Sequence, residues 1–267
     1  ADEKAAADNL AEQVTIYRDS FGVPHIDAAD VNAAAFALAY AQCEDYFWQI
    51  EDSLAWGAGR SAELYGISKL DDDLITHAFE IPSRSQQEVA IQPEASRRMA
   101  EAFTAGINSY LAHHPEVKPR MFTRVEPWHM LAFGRRIYLE IASKGAHVGG
   151  QYMPRHQDEM YQQIGSNAWA VAPNKTQHGS TMLFINPHQP WYGFGQWYEA
   201  HVRTRDGIDF YGATFYCSPA LTIGHNRHCG WSFTFNELAA QLQATGGLIQ
   251  AEVDVAPTDT EHLAAPH

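Results

Sequence analysis

The chain has 267 residues, of which 45% are apolar and 19% charged, the balance of a globular protein with a substantial core. Its 18 Lys and Arg against 32 Asp and Glu give a net charge of −14. That charge excludes the basic surface that nucleic-acid binding needs and disfavours binding to an anionic membrane. No apolar run reaches the roughly 18 residues of a membrane-spanning helix, so we expect no membrane span.

The first residues are rich in Ala and charge and begin without Met. Such a start is typical of the end left after signal-peptide removal, or of the edge of a cloned segment. It favours an exported protein, periplasmic or secreted. We expect residues 1–12 to be frayed.

Two strands and a long helix open the folded part of the chain. Residues 14–18 alternate apolar and polar side chains, as a strand does, and a second strand is expected at 25–28 after the break at 22–24. Asp30 is a good N-cap for an Ala-rich helix over 31–55, which the following glycines would end.

Two further helices are expected to begin at proline residues. Pro93 would open a helix that runs to about His113, and Pro127 would open another. The acidic run at 71–73 is interpreted as a solvated loop. Arg135 and Arg136 are interpreted as surface residues on the polar face of the last helix.

After about residue 166 the sequence changes to short β-rich runs, punctuated by Gly, Pro and Asn every 8–12 residues. A mostly helical first part and a mostly sheet second part predict an α+β protein. The aromatic residues of the second part are expected to lie mostly in the core.

Ser166 stands at the head of the first of these β runs, directly after Gly165. A Ser in this place is usually just part of a turn. Here, however, the run Asn186-Pro187-His188 closes the next predicted strand. A tight hairpin would bring His188 back beside the start of the first strand.

The sequence resembles the penicillin acylase family of N-terminal nucleophile hydrolases in four blocks that occur in the right order. These blocks are Arg18-Asp19-Ser20-Phe21-Gly22-Val23-Pro24-His25-Ile26; Ala39-Tyr40-Ala41-Gln42, continued by Trp48-Gln49 and Gly59 to Gly66; Gly165 to Val171 with Asn186 to Trp191; and Ile223-Gly224-His225-Asn226 with Gly230 to Thr234. The resemblance covers residues 14–236.

The resemblance implies a four-layer αββα sandwich, incomplete in this chain, and a precursor that cleaves itself between Gly165 and Ser166. Residues 1–142 would form a mostly helical small chain and 143–165 a spacer. Residues 166–267 would begin a large chain, whose remainder is an expected partner after processing.

The family's site residues carry over by position. Ser166 would be the nucleophile and, through its new α-amine, the base; His188 would orient both. The backbone N–H of Phe235 would stabilise the oxyanion, with a second donor expected beyond the end of this chain. Phe21 and Trp191 are candidates for contact with the substrate, an acylated amide of the acyl-homoserine-lactone, lipopeptide or β-lactam type. No cofactor and no metal is expected.

Other interpretations stay open at this point. The match fades after Asn236, so the chain could be an inactive homologue that binds acylated ligands. A zinc hydrolase built on Cys217, His225, His228 and Cys229 fits no standard spacing of zinc ligands. Cys217 and Cys229 could form a disulfide or be small buried side chains.

Overall fold

The computed structural model describes residues 2–145 and 165–234. The helices are α1 (Asp2–Ala11), α2 (Val31–Gly57), α3 (Ser61–Tyr65), α4 (Leu70–Ala78), α5 (Ile81–Glu88), α6 (Glu94–His113) and α7 (Pro127–Gly145). The strands are β1 (Val14–Arg18), β2 (Pro24–Ala28), β3 (Gly165–Val171), β4 (Met182–His188), β5 (Trp197–Thr204), β6 (Asp209–Phe215), β7 (Ile223–His225) and β8 (Gly230–Trp231). This mixture of helices and sheet confirms the α+β prediction.

Within the described residues the strands form a six-stranded sheet in the order β1-β2-β5-β6-β7-β8 and a separate β3-β4 hairpin. Neighbouring strands are antiparallel except β2 and β5, which are parallel. The parallel pair joins a strand from the helical first part of the chain to a strand from the second part.

Helix α2 is the centre of the core. The Asp30 carboxylate accepts the N–H groups of Asn32 and Ala33 at 2.9 Å, which confirms the predicted N-cap. The Ala-rich helix is buried on nearly every side, and α6 crosses it closely. Gly106 permits that approach, because a Cβ there would lie 2.9 Å from the Ala39 Cβ.

The N-terminal segment and the acidic run correct two predictions. Residues 2–11 form α1 rather than a frayed end, and Leu10 packs against the core. The run at 71–73 lies in the first turn of α4 rather than in a loop, and Asp72 and Asp73 are buried. The Asp73 carboxylate accepts the N–H groups of Ser61 and Ala62 at 2.8 and 2.7 Å, so it caps α3 from a distance in sequence.

Arg136 corrects a third prediction, because it is only 1% exposed. Its guanidinium pairs with Glu140 at 3.0 Å and with Asp72 at 3.6 Å, and it lies 4.2 Å from the ring centroid of Trp56. Arg136 therefore joins α7, α4 and α2 through one buried charge.

The predicted spacer, 143–165, falls mostly outside the described residues: α7 extends to Gly145 and β3 begins at Gly165. The division into a small chain, a spacer and a large chain stays a prediction. In the part of the chain that the structure describes, no helix has both the length and the apolar character to cross a bilayer.

Candidate active site

The β3-β4 hairpin holds the predicted nucleophile at its open end. Its register pairs Gly165 with His188, Ser166 with Pro187 and Asn167 with Asn186. The prediction that a returning strand brings His188 back beside the start of β3 is confirmed. Paired residues on antiparallel strands share a face, and the faces alternate along each strand.

The Ser166 hydroxyl donates a hydrogen bond to the carbonyl oxygen of Gly165, its own preceding residue. The nucleophile therefore lies against the peptide bond that the sequence identifies as scissile. Gly165 is half-buried, and a Cβ built on it would lie 3.8 Å from His188 Nδ1, an ordinary contact distance. The imidazole thus stands beside the residue that would become the new carboxyl terminus.

His188 lies on the same face of the hairpin as Gly165, and the alternation of side chains puts Ser166 on the other face. The ring contacts two amides: Nε2 lies 3.1 Å from Asn167 Nδ2 and 3.0 Å from Asn186 Nδ2. These two Asn residues occur in the quoted sequence blocks, but nothing in the sequence assigned them a partner. The hairpin register, which pairs them, was the signal that could have found them.

Phe235, the predicted oxyanion residue, lies outside the described residues. The strand that leads towards it, β8, lies next to the hairpin. Leu183 of β4 packs so closely over Gly230 that a Cβ on Gly230 would lie 2.5 Å from Leu183 Cδ2. Gly230 therefore lies against the loop end of β4, five residues before His188.

The two predicted substrate contacts are exposed. Phe21, in the β1-β2 turn, is 90% exposed, and Trp191, just after β4, is 87% exposed. A cavity of about 660 Å³ lies between α2, α6 and the β5-β6 turn, and neither aromatic residue nor Ser166 lines it. Both substrate contacts stay predictions.

Comparison with known proteins identifies the family. The sequence profile of the family described as penicillin amidase matches residues 13–242. The chain belongs to the penicillin amidase family. It is 28% identical over 265 residues to the acyl-homoserine lactone acylase PvdQ of Pseudomonas savastanoi pv. phaseolicola, an alignment that covers 86% of this chain and 34% of the relative.

Two further relatives carry other substrate names. The aculeacin-A acylase of Actinoplanes utahensis is 28% identical over 258 residues, which cover 82% of this chain and 33% of that protein. Penicillin acylase 2 proenzyme of Pseudomonas sp. strain SE83 is 24% identical over 285 residues, covering 84% and 36%. The chain spans about a third of the length of the curated relatives it matches.

The second penicillin amidase block has a structural role beside the hairpin. Gln49 of this block donates a hydrogen bond to the Gly193 carbonyl at 2.8 Å, and Trp56, which lies outside the block on the same helix, stacks on Phe194 with ring centroids 4.6 Å apart. Both contacts hold the loop that follows His188 against α2. Through Gln49 the block thus contacts the loop that follows β4, which the sequence pattern did not reveal.

Arg18, the first residue of the first of the four sequence blocks, also contacts α2. Its guanidinium donates to Asp45 at 2.9 Å and to Glu44 at 3.0 Å. Asp45 also accepts a hydrogen bond from the Tyr198 hydroxyl at 2.6 Å. The residue after Asp45, Tyr46, has a φ of −162° and a ψ of 75°, which interrupt the helix. Burial, with the bond to Asp45, raises the pKa of Tyr198 and keeps this phenol neutral.

The cysteines and several aromatic residues differ from expectation. Cys43, Cys217 and Cys229 are all free thiols; Cys217 is buried and Cys229 exposed, so the suggested disulfide between Cys217 and Cys229 is wrong.

Among the described residues, no group of three or more His, Cys, Asp or Glu side chains is placed to hold a metal ion. The rings of Trp169 and Phe184 contact each other on the hairpin, with centroids 4.9 Å apart, but are 54% and 49% exposed, so they are not core residues.

Proposed function

We propose that this chain cleaves its own Gly165–Ser166 bond and that Ser166 then serves as the N-terminal nucleophile of an amidohydrolase. The observation that carries the proposal is the hydrogen bond from the Ser166 hydroxyl to the Gly165 carbonyl at the end of the hairpin. Membership of the penicillin amidase family supports it, as does the word proenzyme in the name of one relative.

The self-cleavage begins as an N→O acyl shift. Ser166 Oγ attacks the carbonyl carbon of Gly165; the amide C–N bond breaks, an ester forms, and the hydroxyl proton goes to the nitrogen of Ser166. Water then hydrolyses the ester, leaving a carboxylate on Gly165 and a free hydroxyl and α-amine on Ser166. Gly165 has no Cβ to obstruct the approach.

The new amine makes Ser166 a self-sufficient nucleophile. An α-amino group has a pKa of about 7.7–8.0, so near neutral pH an appreciable fraction is unprotonated and can accept the hydroxyl proton. Oγ attacks the acyl carbon of the substrate, the amine returns the proton to the departing nitrogen, and water releases the acyl group from the enzyme.

The oxyanion of the tetrahedral intermediate needs donors. The backbone N–H of Phe235 is the candidate for one of them, carried over by position from the penicillin amidase family. Removing one such donor typically raises the barrier by about 2.7–4 kcal/mol. The second donor and the remainder of the large chain would lie in sequence beyond residue 267.

We infer the substrate class from the relatives' names: a linear amide between an acyl group and an amine, as in acyl-homoserine lactones, lipopeptides or β-lactams. The proposed fold is the αββα sandwich of N-terminal nucleophile hydrolases, and the proposed location is the periplasm or the medium. The chemistry needs water as its only co-reactant.

The two products of self-cleavage would stay together without a covalent link, because β2 pairs with β5 across the cut. The Arg203 guanidinium donates two hydrogen bonds to the Asp27 carboxylate at 2.6 and 2.9 Å, and His25 Nδ1 lies 3.0 Å from His201 Nδ1. These contacts support a heterodimer as the processed form.

The experiment compares Ser166→Ala with Ser180→Ala in the full-length protein, the second being a hydroxyl loss in the turn of the same hairpin. Ser166→Ala is expected to fold, to remain a single chain and to hydrolyse no amide, whereas Ser180→Ala should be processed like the wild type. Normal cleavage of Ser166→Ala at Gly165 would refute the autocatalytic account. A wild-type protein that stays whole and binds acylated ligands without turnover would instead identify an inactive homologue.

A further inference from the structure

Asn167 and Asn186 hold the ring of His188 from one side. Both Nδ2 atoms lie within hydrogen-bond distance of His188 Nε2, at 3.1 and 3.0 Å. An amide nitrogen carries two hydrogens and does not accept, so both contacts make Nε2 the acceptor. A neutral imidazole that accepts at Nε2 carries its proton on Nδ1.

The protonated nitrogen lies on the side of the ring that faces Gly165. Nδ1 is the ring atom nearest to the Cβ position of Gly165, 3.8 Å away, and Gly165 is the residue opposite His188 in the register. The ring therefore presents an N–H donor, rather than a lone pair, on the side that faces Gly165.

We propose that Asn167 and Asn186 are positioning residues that fix His188 as the Nδ1–H tautomer, so that an N–H donor is held beside Gly165, the residue before the bond that is cut. This inference rests on the self-cleavage proposed above. The two amides touch neither Ser166 Oγ nor the Gly165 carbonyl in the hydrogen bonds of the described hairpin, so they would act through His188.

The hairpin register explains why two Asn residues are needed at these positions. Asn167 and Asn186 are direct partners, so their side chains emerge side by side, and His188 lies two residues along from Asn186 on the same face. The arrangement is exposed to water. A single amide there would compete with solvent for Nε2, and two donors from two strands hold the ring against rotation.

An isosteric change of both Asn residues reverses the direction of their hydrogen bonds with His188 Nε2. Asp has the shape of Asn but presents two acceptor oxygens and no donor when ionised. In Asn167→Asp/Asn186→Asp, Nε2 becomes the protonated nitrogen, and the neutral ring turns a lone pair towards Gly165. The Nδ1–H donor then exists only when the imidazole is doubly protonated, a form that low pH favours.

The activity test follows self-cleavage of newly folded full-length protein as a function of pH. We expect Asn167→Asp/Asn186→Asp to cleave at least tenfold more slowly than the wild type at pH 8 and to approach the wild-type rate at pH 5.5. Asn174→Asp, in the turn of the same hairpin, adds a carboxylate away from His188 and should follow the wild-type profile. A merely structural role for the two Asn residues would give a defect that low pH does not rescue, and that result would overturn the proposal.

A second measurement does not depend on activity. In the Ser166→Ala protein, long-range ¹⁵N–¹H spectra report which ring nitrogen of His188 is protonated, with its signals assigned by their loss in Ser166→Ala/His188→Gln. We expect Nδ1–H, and Nε2–H after both Asn→Asp changes are added. A proton on Nε2 in Ser166→Ala would overturn the proposal even if self-cleavage is real, whereas a wild-type protein that never cleaves would refute the proposed function alone.

Discussion

Replacing Arg136 by Met tests how much the buried charge network stabilises the helical part of the protein. Arg136 lies between the buried carboxylates of Asp72 and Glu140, at 3.6 and 3.0 Å, and its Nε donates to the Thr76 hydroxyl at 3.1 Å. Asp72 also pairs with Lys69 at 3.5 Å. Met keeps the packing against Trp56 but takes away the charge, which leaves two carboxylates buried without that cation.

Breaking a buried ion pair by removing one partner costs about 3–5 kcal/mol in the free energy of unfolding. For a chain of this size such a loss lowers Tm by roughly 6–20 °C. The matched control is Arg97→Met, because Arg97 pairs with Glu101 at 2.6 Å on the exposed side of α6. An exposed pair four residues apart on a helix contributes only about 0.3–0.5 kcal/mol.

The assay is urea unfolding of both variants in the Ser166→Ala background, which keeps the protein as one chain. Adding Asp72→Asn and Glu140→Gln to Arg136→Met should recover part of the lost stability, since the carboxylates that lost their cation are then neutral. An Arg136→Met variant no less stable than Arg97→Met would show that the network is not a stabilising element and would refute the reasoning.

Three further predictions follow from single groups. Ser166→Cys should still cleave at Gly165 because a thiolate is a strong nucleophile, and mass spectrometry of the variant checks this. Burial raises the pKa of the Cys43 and Cys217 thiols, so Ellman's reagent should modify only Cys229 in native protein and all three after unfolding; fast labelling of the buried pair would contradict the fold. Burial lowers the pKa of His129 below its ordinary value of about 6.5, because the folded protein favours the neutral imidazole. The stability that this imidazole contributes is therefore fully present above that pH and is lost as the pH falls below it. Unfolding midpoints between pH 5 and 7 should show this slope in the wild type and a flatter one in His129→Gln.

The sequence predicted those parts of the fold that local chemistry determines. The N-cap Asp30, the proline at the start of α7 and the alternation in β1 each act within a few residues, and the structure has these elements where they were expected. The return of His188 beside the start of β3 was also predicted, although ten residues connect β3 to β4 rather than the tight turn that was expected.

The two failures that concern buried charges share one cause: a partner on another helix. Asp73 is buried because it caps α3, and Arg136 is buried because α4 supplies a carboxylate against it. Charged residues are almost never buried unless paired, and the pairing is invisible until the helices are packed. The same limit hid the two Asn residues at His188, whose roles depend on which way the ring faces.

The intact mass of the purified full-length protein tests the central claim most directly. The account predicts two chains in an active preparation, with masses that together equal the uncut chain plus one water, and with Ser166 as the first residue of the second chain. A preparation that hydrolyses acylated amides while showing one uncut mass would contradict it.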